Sequence, residues 1–178
     1  MTYVALLRGI NVGGKNKLPM ATLAKLIADE KCAAVSTFIQ SGNVIFDAPA
    51  KAALTIGARV SRRIEDKLGL TVPVVVRAAA ELASVPSRNP FLKAGVDADE
   101  LHVMFLADAP AATAARALDP ARSPGDSFAL VGRELFLRLP NGAGRSKLTN
   151  AYFDKALATV STARNWRTVL KLIELSTR

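Results

Sequence analysis

The chain has 178 residues, 50% of them hydrophobic and 22% charged, with one Cys and one His. A chain of this length buries roughly 70% of the surface its unfolded form exposes, so it needs no disulfide or metal to fold, and the lone thiol of Cys32 with the lone imidazole of His102 rules out an intrachain bridge and any Cys/His zinc cluster. The apolar fraction is too high for a disordered chain, no apolar run approaches the roughly 20 residues of a membrane helix, and the formal net charge of +9 fits either an anionic partner or an Arg- and Ala-rich composition with a solvated basic surface.

Thr2 to Leu7 reads as a buried strand that stops at the glycine-rich stretch after Arg8. It follows the N-terminus with no basic leader and no small-residue cleavage site, so a cytoplasmic location is expected. Pro19 suits the first turn of a helix, and Met20, Leu23, Ala24 and Ile27 recur at helical spacing up to an end near Lys31. Val35 to Ile39 and Val44 to Phe46 are β-rich runs joined by Gln40-Ser41-Gly42-Asn43, which predicts a hairpin. Ile56, Val60, Ile64 and Leu68 form one helical stripe, and Gly69 falls where a left-handed C-terminal cap belongs. Thr71 to Val76 returns to strand, at an edge because Pro73 has no N–H for a ladder, and a short helix over 79–84 follows.

Residues 86–100, with Pro86, Pro90 and the acids Asp97, Asp99 and Glu100, read as a connector between a first subdomain (1–85) and a second (101–178). After it the order of elements starts again. Leu101 to Leu106 is a strand, Pro110 to Leu118 a helix, and Phe128–Val131 with Leu135–Leu139 a hairpin about Gly132-Arg133. Ser146 is placed to cap a helix carrying Leu148, Tyr152, Phe153 and Leu157, Val160 lies in a brief extended piece, and Asn165 caps a last helix. Each half reads β-α-β-β-α-β-α, the pattern of a split βαβ, so the fold class expected is α+β with two tandem ferredoxin-like subdomains on antiparallel sheets. In that topology the loop after the first strand and the tip of the following hairpin emerge at the same end.

Gly9 to Lys15 has the frame Gly-x-x-x-x-Gly-Lys of a phosphate-binding P-loop, but Asn16 stands where a Ser or Thr hydroxyl would meet Mg²⁺. Hairpins also contradict the parallel sheet of such NTPases. What remains is a glycine-rich loop whose Arg8, Asn11, Lys15 and Lys17 suit an anion, next to the polar hairpin tip Gln40, Ser41 and Asn43. A second cationic cluster combines Arg145, Ser146 and Lys147, on the run from a strand into a helix, with Arg164 and Asn165. Trp166, Val169, Leu170 and Ile173 share a helical face, which makes the tryptophan core. His102 sits inside an apolar strand pattern and reads as a packed histidine, and Cys32, which follows Lys31 at a helix end, reads as a buried small hydrophobe with a modestly lowered pKa.

The strings Ala5-Leu-Leu-Arg-Gly-Ile-Asn-Val-Gly-Gly-Lys-Asn-Lys17, Phe38-Ile-Gln-Ser-Gly-Asn-Val-Ile-Phe46 and Thr162-Ala-Arg-Asn-Trp-Arg-Thr-Val-Leu-Lys-Leu172 resemble those of the bacterial family catalogued as domain of unknown function 1697. The resemblance spans nearly the whole chain. It implies two related α/β subdomains of ferredoxin-like type, places Arg8, Asn11, Lys15, Gln40, Ser41, Asn43, Arg164, Asn165 and Trp166 in the family's motifs, and brings no activity, catalytic residue or cofactor with it.

The function expected is therefore binding of a small phosphorylated or other anionic ligand, with no reaction identified, no cofactor, no metal and no membrane partner. The alternatives are sequence-independent nucleic-acid binding, favoured by nine Lys and Arg against three acids from Arg133 to Arg178, and a protein-interaction module, which would need a large exposed apolar patch. Oligomeric state is left open.

Overall fold

The computed structural model describes residues 1–177. By internal packing the chain falls into two units, one of Met1–Ala83 with the chain's end from Lys171, the other of Ser84–Leu170.

In the first unit the N-terminal apolar run forms β1 (Thr2–Leu7), followed by α1 (Met20–Ala28), β2 (Ala33–Phe38), β3 (Asn43–Asp47), α2 (Ala50–Leu68), β4 (Val74–Ala78) and α3 (Ala79–Ala83). The sheet order is β2-β3-β1-β4, every pair antiparallel. On one face, Ala5 and Leu7 of β1 and Val44 and Phe46 of β3 join Leu23 and Ile27 of α1 and Ile56, Val60 and Ile64 of α2 in a single core. Each fully buried aliphatic side chain there contributes about 1.5–3 kcal/mol of transfer free energy. Glu30, just past α1, is gripped by Arg59 at 3.0 Å and by Arg63, one turn apart on α2. The four-residue stripe of α2 is buried as its spacing requires, and the helix ends at Gly69 in the left-handed region (φ 65°). β4 is an edge strand that begins one residue after Pro73, in keeping with the proline's missing donor.

The second unit repeats the plan with β5 (Leu101–Leu106), β6 (Ser127–Val131), β7 (Glu134–Arg138) and β8 (Ser161–Asn165) in the order β6-β7-β5-β8, again all antiparallel. Two short helices, α4 (Val85–Arg88) and α5 (Pro90–Lys93), precede it; α6 (Ala112–Arg116) and α7 (Asn150–Leu157) lie between strands and α8 (Trp166–Ser176) comes after the last of them. Met104, Leu106, Leu135 and Leu137 pack with Phe153 and Leu157 of α7, and Phe128 meets Phe153 edge-on at 5.4 Å. Each unit is a split βαβ, so the architecture is α+β and ferredoxin-like twice over. Register makes the repeat explicit: Val4 faces Arg77 on β4 as Val103 faces Arg164 on β8, and Leu6 faces Asn43 as Phe105 faces Glu134.

Three local expectations shift. The stretch read as connector carries α4 and α5, because Asn89 Oδ1 accepts from the N–H groups of Phe91 and Leu92 and caps the second of them. α6 is shorter than the predicted 110–118. The helix expected to begin at Ser146 begins at Asn150: Thr149 accepts from the Tyr152 N–H at 3.2 Å, whereas Ser146 accepts from Leu148 N–H and closes a turn ahead of the helix. Two hydroxyls three residues apart compete for one helix start, and the one whose oxygen reaches a first-turn N–H wins.

Candidate functional site

The strand β1 ends where its neighbours pin it: Leu7 N–H donates to Gly42 carbonyl (2.8 Å) and Arg8 N–H to that of Pro73 (3.0 Å). The chain then leaves the sheet as a loop shaped by its own amides. Asn11, in the left-handed region at φ 55°, donates through Nδ2 to the carbonyls of Leu18 (2.9 Å) and Gln40 (2.8 Å) and accepts through Oδ1 from the Leu18 N–H (2.9 Å). One side chain thus closes the loop at its base and ties it to the hairpin between β2 and β3. Inside the loop, Asn11 N–H donates to Asn16 carbonyl (3.1 Å), Lys15 N–H to Val12 carbonyl (3.0 Å), and Asn16 Nδ2 to Gly9 carbonyl (2.8 Å). The position a P-loop reserves for a metal-binding hydroxyl is therefore a brace, and α1 starts only at Met20.

The hairpin tip is fitted to the loop with no room left. A Cβ on Gly42, which has φ 82°, would lie 2.7 Å from Leu7 Cβ and 2.9 Å from Ile10 Cδ1. Asn43 is fully buried and donates to Phe38 carbonyl and to Ser41 Oγ, both at 3.1 Å. Asn11 and Asn43 are accordingly positioning residues. Lys15, Lys17 and Gln40 are exposed, and Arg8 and Ser41 are half-buried. Neither residues 8–18 nor residues 39–43 contain an Asp or Glu.

The residues of the second cluster fall on a loop and on a strand of the second unit. Arg145 and Lys147 are exposed on the loop leading into α7, with Lys147 N–H held by Ser123 Oγ at 3.0 Å. Arg164 pairs in register with Val103, on the sheet face opposite the α7-facing Met104 and Leu106. Its guanidinium donates to Thr162 Oγ1 (2.9 Å) and Ala163 carbonyl (2.8 Å), and burial pulls it down to about 10. Asn165 Oδ1 accepts from the Thr168 N–H at 2.8 Å and caps α8, as its position predicted, and Trp166 is core.

Burial lowers the His102 imidazole, against an opposing hydrogen bond to the backbone of Glu100. For Cys32 the sign differs from the helix-end expectation: burial raises the thiol and the neighbouring Glu30 carboxylate adds to it, which outweighs the opposing Arg59. Sequence reading passed over Arg77, only 1% exposed, which donates to Val76 carbonyl at 3.1 Å just as Arg164 does to Ala163. A cation at the end of Val74-Val75-Val76 was the available signal. It also passed over Glu134, buried at the start of β7 and held by Arg88 Nη1 at 2.7 Å. Among the described residues no three His, Cys, Asp or Glu side chains gather as a metal site would require, and no helix is long and apolar enough to cross a membrane.

The model of a family described as protein of unknown function (DUF1697) matches residues 1–136. Among solved structures, the conserved bacterial protein SP0830 from Streptococcus pneumoniae is similar over 98% of this chain and 97% of its own, with a TM-score of 0.73 at 20% identity. No curated protein matches. At that identity the structural likeness speaks to the fold.

Proposed function

This chain belongs to the family of proteins of unknown function DUF1697, and we propose that its first unit binds a small phosphorylated or otherwise anionic ligand at residues 8–17 and the hairpin tip 39–42. The observation that carries this reading is the Asn11 carboxamide, which joins the two segments through Gln40 and holds a cationic, glycine-rich loop in one shape. A preorganised loop binds at lower entropic cost than one that must order around its ligand. Arg8, Lys15 and Lys17 supply charge, Gln40 and Ser41 supply neutral hydrogen bonds, and the loop backbone supplies further N–H donors. Arg145, Ser146 and Lys147 form a lesser cationic stretch, and Arg164 and Asn165 serve the framework of their own unit.

Neither segment contains a carboxylate pair or a nucleophile set beside a base, so the role proposed is recognition. Titration of the labelled protein with inorganic phosphate and pyrophosphate, followed by amide shifts, tests it. The shifts should concentrate at Gly13, Gly14 and Lys15; joint replacement of Lys15 and Lys17 by Ala should weaken binding roughly tenfold, and Asn11→Ala should remove it by freeing the loop. Shifts confined to residues 84–170, or none at millimolar anion, would overturn the reading. Titration with oligonucleotides at two ionic strengths separates the nucleic-acid alternative, for which affinity falls steeply with salt.

A further inference from the structure

We infer that the ligand of this pole is an amphiphilic anion, a phosphate ester with an alkyl or aryl group that lies against Val12 and Ile39. The inference rests on the anion reading of the same loop and adds the chemistry of the rest of the molecule.

Val12 is 64% exposed and Ile39 49% exposed, and each adjoins one end of the Asn11–Gln40 hydrogen bond. Val12 and Lys15 are paired across the small antiparallel bridge inside the loop. Paired residues project to the same side, so an isopropyl group and an ammonium group stand together on one face. Ile39 makes the second argument. It holds φ 49°, a region that glycine and asparagine enter readily and a β-branched side chain does not. The turn of the second unit uses Gly132 at φ 63° for the same left-handed excursion. Here a strained backbone holds an aliphatic side chain half in water, and strain of this kind gathers at ligand sites. With no carboxylate in either segment, cations and apolar tips together match a molecule that carries both a negative group and a hydrocarbon one.

Calorimetric titration of the full chain with inorganic phosphate and with hexyl phosphate tests this. The ester should bind about tenfold more tightly than phosphate. A double Val12→Ser and Ile39→Asn variant should bring the two probes to equal affinity, whereas Lys15→Ala should weaken both and keep the difference. Asparagine suits the left-handed backbone, so Ile39→Asn alone should melt no lower than the parent, which separates lost recognition from lost folding. Equal binding of both probes by the parent, or discrimination that survives the double change, overturns this inference and leaves the anion reading intact; binding of neither probe overturns both. Sedimentation with phosphatidylglycerol vesicles identifies the source of the amphiphile. Binding lost in the double variant marks a lipid headgroup, and preference for hexyl phosphate without vesicle binding marks a free ester.

Discussion

The two units share a frame and part company at one pole. In each, the end of the first strand is tied to the tip of the following hairpin, by Leu7 N–H to Gly42 carbonyl at 2.8 Å in one and by Leu106 N–H to Arg133 carbonyl at 2.9 Å in the other. In each, a buried polar residue opens the third strand, Asn43 in one and Glu134 in the other. From that common corner the chains diverge. Residues 107–111 suffice to reach α6, whereas residues 8–19 make an excursion with left-handed Asn11 and Asn16 and two exposed lysines before α1 begins. The second unit manages with the short version, whereas the long one returns Ile10 and Leu18 to the core and leaves its lysines outside.

The two units differ most in energy at the buried polar corner. Glu134 carries a charge that Arg88 meets at 2.7 Å, while Asn43 is neutral and closes a local turn. Glu134→Ala removes a buried carboxylate from the half-buried Arg88 and should cost about 3 kcal/mol, the upper end for a hydrogen bond between charged groups. Asn43→Ala should cost about 1–2 kcal/mol, the worth of buried hydrogen bonds without a charge. Urea melts of the two variants decide it. Equal losses would mean that the corner is held by backbone geometry alone, and that the two residues are interchangeable plugs.

A somewhat smaller effect separates the hairpin tips. Gly42→Ala must accommodate a Cβ 2.7 Å from Leu7 Cβ at φ 82°, so roughly 2–3 kcal/mol should be lost. Arg133 occupies the matching place in the second unit with a full side chain, one nitrogen of which donates to Ala107 carbonyl at 3.3 Å. Arg133→Ala should cost about 1 kcal/mol. If Gly42→Ala proved as mild as Arg133→Ala, the first tip would not be pressed onto its loop, and the rigidity invoked for the anion site would be gone.

How far these features were legible in the sequence depends on the range of the interactions involved. Strands, the α2 stripe and the edge place of β4 are written in local periodicity; the strand ends shift by up to three residues, so that Pro73 precedes β4 and Ile39 follows β2. The motif around Asn11 was equally visible, but the hydrogen bond that braces the loop runs to a carbonyl 29 residues away, beyond the reach of local pattern. Arg77 was missed because a cation ending a valine run looks like a strand reaching water; its interior place follows from its register partner on β1, Val4, whose face of the sheet is buried. The left-handed turn at Ile39 could not be read at all, since isoleucine signals a strand and nothing in its neighbours announces the reversal.

The finest contrast lies at the ends of the equivalent helices α2 and α7. Both close in the left-handed region, α2 at Gly69 with φ 65° and α7 at Ala158 with φ 50°, each cap N–H donating four residues back, to Glu65 and Asp154. Sequence announced the first cap and was silent on the second because alanine carries no turn signal. Left-handed backbone costs an L-residue about 1–2 kcal/mol, while glycine adds about 0.5–1 kcal/mol of unfolded-state entropy to be lost on folding. Ala158→Gly should therefore stabilise by about 0.5–1 kcal/mol, and Gly69→Ala should destabilise by about as much. No atom lies within 4 Å of a Cβ built on Gly69, so the second change reports backbone strain and nothing else. Thermal melts should move in opposite directions by roughly 2–4 °C. A shift at Gly69 with none at Ala158 would show that α7 frays before its cap is formed, making the shorter helix the softer half of the repeated plan.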